Sequence, residues 1–153
     1  MRKNMVSLAL LLWVSAGHAQ VANPQGETPQ PVPMPAADLN WVDLDPVGAP
    51  GVKVATLWGD VSKSNFGAFL KLPAGFAAPL HSHTHDMKLV IVSGTYIQGP
   101  QGKPEFRLGP GSYLMQPGGN YNHTTRCDAS SDCVLFFESE GAFDLHPAAP
   151  PAN

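Results

Sequence analysis

The sequence predicts an all-β fold, a single sandwich or barrel, on three observations. Short runs rich in Val, Leu, Ile, Phe and Tyr recur through the middle of the chain. Gly, Pro, Asn and Asp punctuate them, which is the chemistry of tight turns. No stretch carries apolar residues at the 3.6-residue spacing of an amphipathic helix, and no segment repeats at a solenoid period.

Arg2 and Lys3 precede an apolar run from Met5 to Ala16, and Gly17-His18-Ala19 then places small residues where a signal peptidase reads. This predicts a signal peptide over 1–19 and a periplasmic or secreted protein. The run is well short of the roughly 20 apolar residues that span a bilayer, so no membrane association is expected after cleavage. The remaining 134 residues suit one domain. Loss of Arg2 and Lys3 leaves seven basic residues against twelve acidic ones, a net charge of −5 with His neutral. An acidic chain with no basic patch excludes nucleic acid as a partner and leaves small molecules or another protein.

Residues 20–38, "QVANPQGETPQPVPMPAAD", are proline-rich with little to bury and predict a flexible linker. The folded domain is expected over 39–146, and "PAAPPAN" at 147–153 as a frayed tail. Six strands are predicted: "VKVATLW" from Val52, "FGAFLKL" from Phe66, "MKLVIVSGTYI" from Met87, "EFRL" from Glu105, "SYLMQ" from Ser112 and "CVLFFES" from Cys133. The turns between them are "LPAG", "GPQGKP", "LGPG" and "QPGGN". "LVIV" after Lys88 is apolar at both parities, so this strand is covered on both faces or meets a second copy. A homodimer is one expectation from it.

Three of the six histidines, His81, His83 and His85, alternate just ahead of that strand. Alternate side chains on a strand share a face, so the three and Met87 would point together if the segment is extended throughout. Two imidazoles at i and i+2 converge as a divalent metal requires, although such pairs also occur at solvent-facing strand ends.

The wider spacing resembles the cupin superfamily. Gly75, His81, His83 and Gly94 stand at the places of the first cupin motif, with Met87 where that motif has a glutamate. Gly111, Pro117 and Gly119 match the second motif, but Asn122 occupies its histidine position and His123 comes one residue late. The segments "FGAFLKLPAG", "HSHTHD", "GPGSYLMQPGG" and "DCVLFFESEGAFDLHP" look more narrowly like secreted cupins of the ChrR-type group. The resemblance covers about Val52 to Phe137. It implies a double-stranded β-helix, or jelly roll, of six to eight strands with a metal in the barrel mouth.

One residue of slippage turns a side chain to the opposite face unless a bulge absorbs it, so either His123 or Asn122 faces inward. The Gly118-Gly119 pair supplies the backbone freedom for the correction, which favours His123. The expected metal ligands are then His81, His83 and His123, holding Fe, Zn, Ni or Cu. Met87 is a weaker candidate that would favour copper, against its ordinary reading as a core filler. His85, Tyr113, Tyr121 and Gln116 are candidates for the rim or for contacts with metal-bound groups. Asp86 is read as a turn or rim residue and Lys88 as solvent-facing. His146 is assigned no role.

Cys127 and Cys133, the only cysteines, flank a short tip and in an oxidising compartment read as a disulfide that pins the strand of His123. No Ser-His-Asp triad, phosphate loop or nucleophile elbow is present. The resulting expectation is a metal-binding cupin that binds or transforms a small polar molecule, as an oxygenase or isomerase if catalytic. The alternatives are a non-catalytic binding or sensing module and a cupin scaffold with no metal.

Overall fold

The structure is a computed structural model that describes residues 30–148. The predicted signal peptide, residues 20–29 of the linker and residues 149–153 of the tail lie outside them. The chain divides into two units, Met1–Pro33 and Met34–Asn153. Of the first, the four described residues are exposed and without regular structure.

The second unit opens with a 3₁₀ turn at Ala36–Asp38, inside the segment predicted as linker. Eleven strands follow: β1 (Val42–Asp43), β2 (Lys53–Gly59), β3 (Phe66–Leu72), β4 (Ala77–Ser82), β5 (Met87–Ser93), β6 (Tyr96–Pro100), β7 (Phe106–Leu108), β8 (Tyr113–Gln116), β9 (His123–Cys127), β10 (Cys133–Ser139) and β11 (His146–Pro147). They form a six-stranded sheet in the order β1-β2-β3-β10-β5-β8 and a five-stranded sheet in the order β11-β4-β9-β6-β7, with every pairing antiparallel. The fold is an all-β jelly roll.

The run from Met87 to Ile97, predicted as one strand, is two strands in different sheets. The chain turns at Gly94, whose φ is +76°. A Cβ there would lie 2.4 Å from the Asp132 carbonyl oxygen, so only glycine allows both the left-handed backbone and the close passage of the next loop. "LVIV" resolves at the same time: Leu89 and Ile91 are buried, while Val90 and Val92 lie on the outer face, exposed beside Tyr113 and Met115.

Strict alternation drives β10, where Cys133, Leu135, Phe137 and Ser139 point inward. Phe137 meets Phe66 of β3 edge-to-face at a centroid separation of 4.9 Å, and Phe143 from the chain after β10 at 5.9 Å. Burying each such ring contributes about 2–3 kcal/mol. Register then sets what stands at one end of the barrel. Ser139 is opposite Met87, and Met87 is opposite Gln116. On the facing sheet, His81 is opposite His123, and His123 is opposite Pro100. The Cys127–Cys133 disulfide joins β9 to β10, and thus one sheet to the other. It pins β9, the strand of His123, at the end away from that residue, roughly 13 Å along the strand.

Candidate metal centre

His81 ends β4 and His123 begins β9, and the direct pairing of these positions puts both rings on the inner face. A bulge between Ala78 and His81 adjusts the alternation of β4. The one-residue delay of His123 is absorbed in the preceding loop. Gly119 takes φ +68°, and a Cβ on Gly118 would stand 2.5 Å from the Thr84 carbonyl oxygen. That glycine pair lets the loop lie against the His83 segment, where Gly119 N–H donates to the His83 carbonyl at 2.8 Å and Gly118 N–H to Asp86 Oδ1 at 2.7 Å. Asn122 faces away, its amide donating to Gln101 Oε1.

His81, His83 and His123 are 2%, 5% and 0% exposed, and their ligand atoms lie within 4.8 Å of one another. Each Nδ1 contacts a backbone carbonyl: His81 that of Pro79 at 2.6 Å, His83 that of Asp144 at 2.5 Å and His123 that of Tyr121 at 3.2 Å. A carbonyl oxygen has no proton to give, so each Nδ1 carries the hydrogen and each Nε2 keeps its lone pair. Three Nε2 acceptors are thereby held in one place, the arrangement by which carbonyl partners orient metal-binding histidines. His123 Nε2 is buried with no hydrogen-bond partner. Burial pushes all three rings away from the charged form, His83 and His123 down to about 4. They are therefore neutral at physiological pH, as metal ligation demands. The donor set fits a divalent transition metal.

The remaining sequence candidates separate. His85 does not join the cluster, because β4 ends at Ser82 and the chain leaves the extended conformation before reaching it. Its side chain is exposed and packs on Gly141. It lines an outer cleft of about 670 Å³ with Trp58, Asp86, Lys88 and Glu138, and no triad histidine lines that cleft. Tyr113 pairs with the outward-facing Val90 and is 58% exposed, so the parity of β8 puts it on the outside. Tyr121 stacks on His123 with centroids 5.3 Å apart. Met87 is buried in the apolar core beside Leu89 and Phe137. Gln116 is buried and accepts a hydrogen bond from Gln98 Nε2 at 3.1 Å. Lys88 is exposed and pairs with Glu138 at 3.2 Å.

Sequence reasoning missed Asp144 and Gln98. Asp144 holds the His83 segment at two points, since its carbonyl accepts from His83 and its Oδ1 accepts from Thr84 N–H at 2.8 Å. Its Oδ2 also lies 3.1 Å from His146 Nε2, which gives His146 a place in that support. No local motif marks a loop carbonyl. Gln98 had a signal, a polar residue at an inward position of "YIQGP", which the reading of 87–97 as one strand obscured.

Comparison with solved structures places the fold among the cupins. The polyketide cyclase RemF of Streptomyces resistomycificus shares 14% identity over 79% of this chain and 87% of that one, with a TM-score of 0.65. The DMSP lyase DddQ of Ruegeria pomeroyi shares 22% identity over 76% of this chain and 64% of that one, at 0.59. A cupin-2 domain protein of Rhodospirillum rubrum shares 15% over 80% and 83%, also at 0.59. The chain belongs to the family described as a domain of unknown function, DUF4437, whose model matches residues 14–146. No curated protein matches it.

Proposed function

We propose that this cupin binds a divalent transition metal through Nε2 of His81, His83 and His123 and uses it to bind and transform a small polar molecule. The observation that carries this reading is the buried triad, with every Nδ1 tied to a carbonyl and His123 Nε2 left without a partner. Three neutral imidazoles suit Fe, Zn, Ni or Cu. A metal here supplies a Lewis acid that polarises an oxygen of the bound molecule. The chain's own residues fix the rings, exclude bulk water and leave coordination positions open. The neighbours support small-molecule chemistry, since RemF is a polyketide cyclase and DddQ a DMSP lyase.

A second reading is a binding or sensing module. One observation favours it: the buried polar residues among those described are His81, His83, Gln98, Gln116, His123 and Ser139, and none is a carboxylate or lysine that could serve as a separate proton carrier. The paired cysteines and the leading apolar run support export to the periplasm or beyond, in line with a secreted ChrR-type cupin.

Elemental analysis of exported protein tests the site. Native protein retains stoichiometric metal, and a His81→Ala/His83→Ala variant loses it. Equal metal in the two preparations overturns the assignment. Oxygen consumption with candidate substrates then separates an oxygenase from the binding module.

A further inference from the structure

Among the described residues, three buried side-chain polar atoms have no hydrogen-bond partner: His123 Nε2, Gln98 Oε1 and Gln116 Nε2. All three are on residues buried in the barrel interior. Gln98 lies two residues from Pro100, the partner of His123, so its side chain is on the same face and roughly 7 Å deeper. Gln116 comes from the facing sheet, opposite Met87, and leads directly into the loop that bonds to His83. The two amides bridge the sheets through one hydrogen bond of 3.1 Å and are 0% and 1% exposed.

An apolar pair would fill this space without leaving orphans, and an amide pair satisfied by a third group is the alternative that makes chemical sense of the residues present. What the pair offers is one acceptor and one donor. Exchanging oxygen and nitrogen in both amides leaves the same offer, so the conclusion does not depend on their orientation. A hydroxyl is the smallest group that gives one hydrogen bond and takes another. Charge adds a second requirement. With no buried carboxylate among the described residues, a dication on three neutral imidazoles keeps its full charge, which in a buried site draws an anionic ligand.

We infer that Gln98 and Gln116 select the substrate of this site, and that its class is a small hydroxycarboxylate whose anionic oxygens face the metal while its hydroxyl bonds to the unpaired atom of each amide. This rests on the proposed metal site and specifies what it takes.

The test loads the protein with Co(II) and follows its visible absorption during titration with glycolate and with acetate. Gln98→Met/Gln116→Met removes both amides at nearly constant shape. Part of any preference for glycolate comes from chelation by its own hydroxyl, so the deciding quantity is the change in preference on substitution. The glycolate-to-acetate affinity ratio is expected to fall by about tenfold or more, the scale of losing two hydrogen bonds, with acetate affinity and cobalt content unchanged. Without metal or ligand, the variant should melt no lower than the native protein, because two orphaned amide atoms are gone. An unchanged ratio overturns the inference and leaves the metal site standing. A variant that melts lower and loses cobalt shows a structural bridge and also overturns it. A native protein that takes up no cobalt removes both readings. If the double variant does not fold, the single variants Gln98→Met and Gln116→Met carry the same comparison.

Discussion

Acidifying the metal-free protein probes the triad through its effect on folding. In the unfolded chain each imidazole titrates at its ordinary value of 6.5, and in the fold burial brings His83 and His123 down to about 4. Above pH 6.5 both states hold neutral rings and stability is full. As the pH falls below 6.5, the unfolded chain takes up protons that the fold refuses, so stability drops, and the loss levels off near pH 4, where the fold protonates too. A gap of about 2.5 units corresponds to on the order of 3 kcal/mol for one ring. Coupling between the neighbouring rings brings the pair together to about that figure instead of twice it. For a domain of this size the loss lowers the melting temperature by about 10 °C. The carboxyls of Asp45, Asp60, Asp128 and Asp144, all held below the usual 3.8, titrate beneath this window. The assay is urea unfolding in EDTA across the range, on native protein and on His123→Asn. The variant has one ring fewer to resist protonation, so its stability changes less with pH. Identical slopes in the two proteins, or native stability rising on acidification, would refute the reasoning.

Three further outcomes are expected. Zinc added to metal-free protein at neutral pH raises its stability by about 2.7 kcal/mol at a hundredfold excess over Kd, and thermal melting of His81→Ala shows no such rise. Gly118→Ala drives a Cβ to 2.5 Å from the Thr84 carbonyl oxygen. It should destabilise by at least about 1 kcal/mol and, by displacing the His83 loop, weaken zinc binding measured by calorimetry. Reducing the disulfide, or replacing both cysteines with Ser, releases a loop closed over a separation of six residues. The cost in denaturant unfolding is about 2 kcal/mol, with zinc affinity nearly unchanged because the bridge sits at the far end of β9 from His123.

The parts of the fold legible in the sequence are those that local chemistry dictates. β3 and β10 coincide with the predicted runs, because β-prone side chains bounded by turn residues report a strand without reference to its partners. The HxH pair and the glycines around it were legible for the same reason. His85 was grouped with them because alternation on paper assumes an extended chain, and nothing in "HSHTHD" announces that β4 stops at Ser82. Tyr113 was drawn toward the site by its nearness in sequence, yet the pairing of β8 with β5 turns it outward.

By itself the sequence determined an all-β chain, where most of its strands turn, and the HxH pair at His81 and His83, since propensity, alternation and side-chain chemistry are properties of short segments. Only the tertiary structure decided that His123 and not Asn122 enters the barrel, that the carbonyls of Pro79, Tyr121 and Asp144 leave three Nε2 atoms free, and that two glutamines meet between the sheets. The register between strands far apart in the chain makes those choices, and it is selected by how the whole core packs.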